Sequence, residues 1–345
     1  MLETCRKIGQ LLESVDFGRL WPGFHVFPFA LYDDQDVCFS DRPPVPWDSR
    51  FLGNTAIDLN GEAVAIWSMK ESPISDETVL ASKLVHEMFH AFQKKSGETR
   101  WADEREGLRY IYDSENMCKK FMENFHLGGF SYSFSRDTWR ILMAFRNARA
   151  AAFPNAVRYE SQIETIEGIA QFVEYSVLRI LDIGKYRMAV QRLSEVLNDP
   201  KKLFPIRNTC YNSGTMMCIV AEENGISFRH QIGRESRMLS EILGEGIPPH
   251  DHKVKIQTVV FEREAFLSER HAKVESFFRN ARIVAEGKME LAGFDPMNGF
   301  LDGNRLFSPG FLLVKDASGS RFFSGESVAL LDSSFNVVQI YQSPS

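Results

Sequence analysis

The chain contains no apolar run long enough to cross a bilayer, so no membrane-spanning helix is expected. Its first twenty residues carry Glu3, Arg6, Lys7, Glu13, Asp16 and Arg19. They leave no uninterrupted apolar stretch of the kind a secretory leader needs. Cysteine is scarce. The five residues (Cys5, Cys38, Cys118, Cys210 and Cys218) are odd in number and form no Cys-x-x-Cys pair, which argues against a disulfide framework and for reduced thiols in a cytoplasm. Basic tracts are missing as well. Lys94-Lys95, Lys119-Lys120 and Lys201-Lys202 are isolated pairs in a chain of net charge −6, so neither nucleic acid nor a membrane surface is expected as a partner. Internal repeats and low-complexity segments are also absent from the sequence.

What is present suits a globular protein. At 345 residues with 44% apolar side chains, the chain can bury one large core or two modest ones. Phenylalanine is abundant, 28 residues, which points to an aromatic-rich core or an apolar cleft. Residues 2–20 read as an amphipathic helix, and Pro43, Pro44 and Pro46 forbid regular helix in the stretch from Trp21 to Trp47. Two alternating runs, Thr55–Leu59 and Glu62–Trp67, flank Asn60-Gly61, the favoured type I′ hairpin turn. Ser75-Asp76-Glu77 opens a helix that ends at Gly97. Helices are expected over 101–125, 135–153 and 157–180, and onward with breaks to about 250, where Pro248-Pro249 marks a boundary. A charged helix over 262–286 precedes short strands at 311–315, 321–323, 328–331 and 337–341. The expected fold is α+β and mostly helical. It comprises an N-terminal segment with the hairpin (1–70), a helical region (71–250), a connecting helix (251–289) and a small β-rich unit (290–345).

One motif carries chemistry: His86-Glu87-Met88-Phe89-His90. Four residues turn a helix through about 400°, so the two imidazoles project from one face and can share one zinc ion. Glu87 stands beside them as a proton acceptor. On the helical wheel Leu80, Leu84, Val85, Met88 and Phe92 fill one arc, and both histidines fall outside it, facing a cleft or solvent. A catalytic zinc needs a third protein ligand. The segment Ala91–Gly97 holds no histidine, so a carboxylate on a second helix is the remaining common arrangement, with Glu106, Glu115, Glu160, Glu164 and Glu167 as candidates. Glu160, Glu164, Glu167, Gln171 and Glu174 form a stripe opposite Ile163, Ile166, Ile169, Ala170, Val173 and Val177; such a stripe also suits a solvated helix face. Gly168 distinguishes one position. Mid-helix glycine costs roughly 1 kcal/mol against alanine, so close approach of another element is expected there, with the helix of the histidine box as the neighbour. Glu167 is the first choice and Glu164 the second. Glu160 and Glu115 are candidate partners for the outer nitrogen of a ligand imidazole.

The His-Glu-x-x-His box, followed far downstream by Glu167-Gly168-Ile169-Ala170-Gln171-Phe172, resembles the gluzincin metallopeptidases. The segments 86–93, 144–154 and 160–174 are similar to a sparsely characterised bacterial group of zinc-peptidase-like proteins, a resemblance that extends over residues 80–220. It implies a zincin-like catalytic domain, with His86, His90 and Glu167 as zinc ligands and Glu87 as general base. It also implies an oxyanion donor, Tyr211, from the Tyr211-Asn-Ser-Gly214 element, and a substrate-pairing role for the hairpin's edge strand. His126, His230, His250 and His252 are candidates for a second donor. The chain departs from gluzincin aminopeptidases in the long interval from His90 to Glu167 and in lacking a Gly-x-Met-Glu-Asn element. The function expected is zinc-dependent hydrolysis of a peptide or protein substrate. The alternatives are a zinc amidohydrolase acting on a non-protein amide, or a zincin scaffold that binds without catalysis.

Overall fold

The computed structural model describes residues 1–343 and shows an α+β chain that divides into two compact units. The first gathers Met1–Trp101, Phe121–Lys202 and Thr209–His252. The second gathers Ala102–Lys120, Leu203–Asn208 and the residues from Lys253 onward.

The chain opens with α1 (Leu2–Leu12) and α2 (Phe17–Leu20). A sheet follows, built from β1 (Phe29–Tyr32), β2 (Asp36–Phe39), β3 (Val45–Pro46), β4 (Thr55–Leu59) and β5 (Glu62–Ser68). The strand order is β3-β2-β1-β5-β4; β1 and β5 run parallel and the other neighbours antiparallel. The strands within the stretch from Trp21 to Trp47 are not marked by alternation. In β1, Phe29 and Leu31 face the helical core while Ala30 and Tyr32 enter a second apolar cluster with Val37, Phe39 and Phe51, so both faces are buried. A strand buried on both sides reads as a continuous apolar run. The β4–β5 hairpin is as expected: Asn60 (φ 57°) and Gly61 (φ 88°) both take the left-handed conformation of a type I′ turn. β4 is an edge strand.

Next comes α3 (Glu77–Lys95), whose first turn is capped by Asp76, accepting from the amides of Thr78 and Val79. Leu80, Leu84, Val85, Met88 and Phe92 are buried in the helical core, so the apolar arc is where the sequence placed it. Edge-on aromatic contacts, Trp21 to Phe89 at 5.6 Å and Phe24 to Phe89 at 5.1 Å, anchor this side of the helix. The phenylalanine content therefore serves core in this unit.

The single helix expected over 101–125 is two, α4 (Glu104–Leu108) and α5 (Ser114–Gly129). Asp113 restarts the chain by accepting from the Asn116 amide. Then follow α6 (Arg136–Ala152), α7 (Pro154–Ile163), one π-helical turn (Glu164–Gly168), α8 (Ile169–Leu181), α9 (Ile183–Asn198), α10 (Ile206–Glu223) and α11 (Leu239–Leu243).

In the second unit α12 (Gln257–Phe278) ends earlier than the charge pattern suggests, because the β-branched pair Ile283-Val284 opens a strand. That strand, β6 (Arg282–Phe294), joins β7 (Phe300–Asp302), β8 (Arg305–Ser308), β9 (Phe311–Asp316), β10 (Gly319–Ser324), β11 (Ser327–Leu331) and β12 (Asn336–Gln342) in one antiparallel sheet. Its order is β10-β9-β6-β12-β11-β8-β7. No helix among the described residues is long and apolar enough to cross a membrane.

Candidate metal centre

α3 and the π turn before α8 bring three donors together. His90 Nε2 lies 3.1 Å from His86 Nε2 and 3.0 Å from Glu167 Oε2, and His86 Nε2 is 3.7 Å from the same oxygen. Zinc–ligand distances of roughly 2.0–2.2 Å in a tetrahedron separate neighbouring ligand atoms by about 3.3 Å, so the spacing fits one ion. The histidines do face away from the apolar arc, but towards the π turn rather than solvent, and their side chains are only 11% and 12% exposed.

The outer nitrogens settle the tautomers. His86 Nδ1 donates to Glu174 Oε2 at 3.2 Å, and Glu174 is held in turn by Lys83 Nζ at 2.7 Å. His90 Nδ1 donates to Gln93 Oε1 at 2.8 Å, and the Gln93 amide is oriented because its Nε2 donates to the Ile166 carbonyl. With both protons on Nδ1, both Nε2 atoms present lone pairs to each other and to the Glu167 carboxylate. Three acceptors within 3.7 Å of one another need a cation or a proton between them. The titration of His86 expresses this. Burial opposes its charge, yet hydrogen bonds to Glu167 and Glu174 push its pKa up to about 10. Burial acts against ionisation of Glu167 too, but His90 and His86 hold it well below the usual carboxylate range. Removing an outer partner should loosen the site: Glu174→Ala is expected to weaken zinc binding about 10- to 100-fold, measured by competition with a chromogenic chelator. Unchanged affinity would show that Glu174 orients nothing.

Glu87 differs from every other carboxylate here. It is buried, at 9% exposure, yet has no hydrogen bond or ion pair among the described residues. Its oxygens are not sealed from solvent. It is a partly wetted carboxylate with no partner, next in sequence to a donor histidine.

The stripe from Glu160 to Glu174 is not a solvated face, nor does it act as one surface. Glu160 pairs with Arg149 (2.9 Å), and Glu164 is held by Arg146 and by the Ser213 hydroxyl at 2.6 Å. Glu123 joins both arginines, at 2.9 Å from Arg146 and 2.7 Å from Arg149, which closes a fully buried cluster. Gln171 accepts from Thr215, and Glu167 and Glu174 go to the histidines. The π turn explains the split. It advances about 80° per residue instead of about 100°, so Glu164 and Glu167 sit roughly 240° apart rather than roughly 300°. Glu164 is thus turned to the arginines, away from His86 and His90. The partners proposed for the outer nitrogens are also elsewhere: Glu160 serves Arg149, and Glu115 pairs with Lys119 at 2.9 Å. Glu106 pairs with Arg109. Glu174 and Gln93 take that role, and their positions, seven residues beyond Glu167 and three beyond His90, one or two turns along the same helical faces, were the available signal.

Gly168 does mark a close approach, but the neighbour is α10 rather than α3. A Cβ on Gly168 would lie 2.6 Å from the Gly214 Cα, and one on Gly214 would lie 2.6 Å from the Glu164 carbonyl oxygen. The two backbones touch glycine to glycine. Gly214→Ala should therefore shift the π turn and cost about 1–3 kcal/mol by overpacking, read as a lowered melting temperature together with weaker zinc retention. A variant as stable as the parent would show that the contact can relax freely. Tyr211 lies inside α10, one turn before Gly214.

Of the other histidines, His230 is occupied. Its Nε2 accepts from Arg100 at 2.7 Å, and burial followed by the Arg100 charge lowers its pKa, so it offers no donor. His126 is half-buried, which lowers its pKa. The rings of His250 and His252 lie 4.5 Å apart, and no third donor completes a site with them among the described residues. His271, Glu275 and Asp302 also converge, but Arg305 pairs with both carboxylates and the histidine is exposed. Comparisons with family models, curated proteins and solved structures return no match to this chain.

Proposed function

We propose that this protein is a zinc-dependent hydrolase of peptide bonds, built on a zincin-like arrangement of α3 and the β1–β5 sheet. The observation that carries the reading is the convergence of three lone-pair donors, two of them with their protons fixed on the far side of the ring. His86, His90 and Glu167 would hold the ion. Zinc bound there would polarise the scissile carbonyl and bring the pKa of water toward 7. Glu87 accepts the proton of the attacking water and returns it to the leaving amine.

Tyr211 is assigned the oxyanion donor because it sits one turn before Gly214, whose backbone meets Gly168, the residue after Glu167. Loss of such a donor costs about 10²- to 10³-fold in kcat, so Tyr211→Phe should show that loss with zinc content and KM little changed. A variant with parental kcat would remove Tyr211 from the reaction. β4 is the proposed substrate strand. It is an edge strand of its sheet, and Lys94, one turn after His90 on the histidine face of α3, donates to its Ala56 carbonyl at 3.3 Å. The five cysteines are buried and form no disulfide among the described residues, in keeping with a cytoplasmic location.

The reading is tested by incubating the zinc-loaded protein with a complex peptide mixture and following new termini by mass spectrometry. Cleavage that stops on chelation and returns with zinc is expected. Absence of cleavage by zinc-loaded protein, with turnover of small amides instead, would move the assignment to a non-protein amidohydrolase.

A further inference from the structure

A second concavity in the first unit shares no residue with the metal centre. It encloses about 610 Å³ and is walled by α8, α9, α10 and the residues just after α5. Its buried wall is apolar and aromatic: Phe130, Tyr186, Met216, Ile219 and Val220. An adjoining hollow of about 170 Å³ shares Arg179, Tyr186, Ile219 and Glu223 with it, so the space continues past the Tyr186 side chain. Pockets of roughly 300–1,000 Å³ with apolar walls and a few polar groups are the usual size for small organic ligands.

The charges at the rim are unbalanced. Tyr186 donates its hydroxyl to Glu223 at 3.2 Å, which occupies the one carboxylate of the larger hollow. Arg179 lies over the Tyr186 ring at 5.6 Å, and neither it nor Arg187 has a carboxylate partner among the described residues. Arg229, in the smaller hollow, contrasts with them because Glu222 neutralises it. Beside these two guanidinium groups, Ile180, Ile183 and Met188 stand about half or more exposed on α8 and α9. The concavity thus offers an apolar wall and two unneutralised cations against a single hydrogen-bonded carboxylate.

We propose that this concavity binds a monocarboxylate with an apolar tail, of the medium-chain fatty-acid class, with the head group at Arg179 and Arg187 and the tail against Met216, Ile219 and Val220. Charge complementarity selects the head: the guanidinium fork matches a carboxylate, and a cationic amphiphile would meet two like charges. A neutral tail alone would leave both arginines as they are. A polyanion such as a nucleotide would bring further charge against Glu223 and leave the apolar wall uncovered.

The test is isothermal titration calorimetry of the full-length protein with decanoate, decanol and decyltrimethylammonium, each below its micellar concentration. Saturable binding of one decanoate per chain is expected, with decanol and the ammonium compound about tenfold weaker or more, as loss of charge-assisted contacts implies. Arg179→Gln/Arg187→Gln should bind decanoate about tenfold more weakly or worse. Val190→Trp, which keeps both charges and fills the hollow, should also lose it; circular dichroism confirms that each variant is folded. The proposal is overturned by the absence of saturable decanoate binding, by equal affinity for the three probes, or by a folded variant of either kind that binds as the parent does. Because no zinc ligand is involved, none of these outcomes bears on the hydrolase reading.

Discussion

Glu87→Gln should retain zinc and lose turnover. Glu87 is the one carboxylate of the centre that carries no hydrogen bond or ion pair among the described residues, so replacing it with an isosteric amide leaves His86, His90 and Glu167 in place. The amide cannot take a proton, and positioned proton transfer is worth about 10²- to 10⁴-fold in rate. Steady-state cleavage and metal content, measured on the same preparation, are the readouts. Peptide cleavage at the parental rate by a zinc-loaded variant would rule out Glu87 as the base.

The second large effect separates two glutamates three residues apart. Glu167→Ala removes a donor atom, so zinc should be lost together with activity, while burial and packing around Arg146 and Arg149 stay as they were. Glu164→Gln should do the opposite. The amide loses the charge-assisted bonds that Glu164 makes with Arg146 and Ser213 in the buried cluster, each worth roughly 1.5–3 kcal/mol. Thermal or denaturant unfolding should therefore report a severe loss of stability, with zinc still bound by the folded fraction. If Glu164→Gln abolished zinc binding in folded protein while Glu167→Ala spared it, the ligand assignment would be reversed.

Much of this site was legible in the sequence because its chemistry is local. The spacing of His86 and His90 places them on one helical face, and the apolar arc of Leu80, Leu84 and Met88 determines which face is left for them. Gly168 signalled a backbone crossing, which is there. Which helix crosses is a tertiary fact that no single glycine encodes, and α10 rather than α3 supplies it. The stripe from Glu160 to Glu174 does not act as one surface, for a related reason. Helical periodicity assumes a constant rotation per residue, and one π turn redistributes five polar residues among the arginine cluster, α10 and the histidines. The hairpin at Asn60-Gly61 was readable because positive φ at both positions demands those residue types. Strand β1 hid in an apolar run, since burial on both faces erases alternation. Strand β6 followed a helix whose charged pattern ran on past its end at Phe278.

The central claim is that His86, His90 and Glu167 hold one catalytic zinc ion. It is tested most directly by an anomalous-difference map at the zinc edge from crystals of the protein purified with zinc. A single peak about 2.0–2.2 Å from His86 Nε2, His90 Nε2 and a Glu167 carboxylate oxygen is the predicted result. A map with no peak between those atoms, or with the metal on His271 and Asp302 instead, would contradict it.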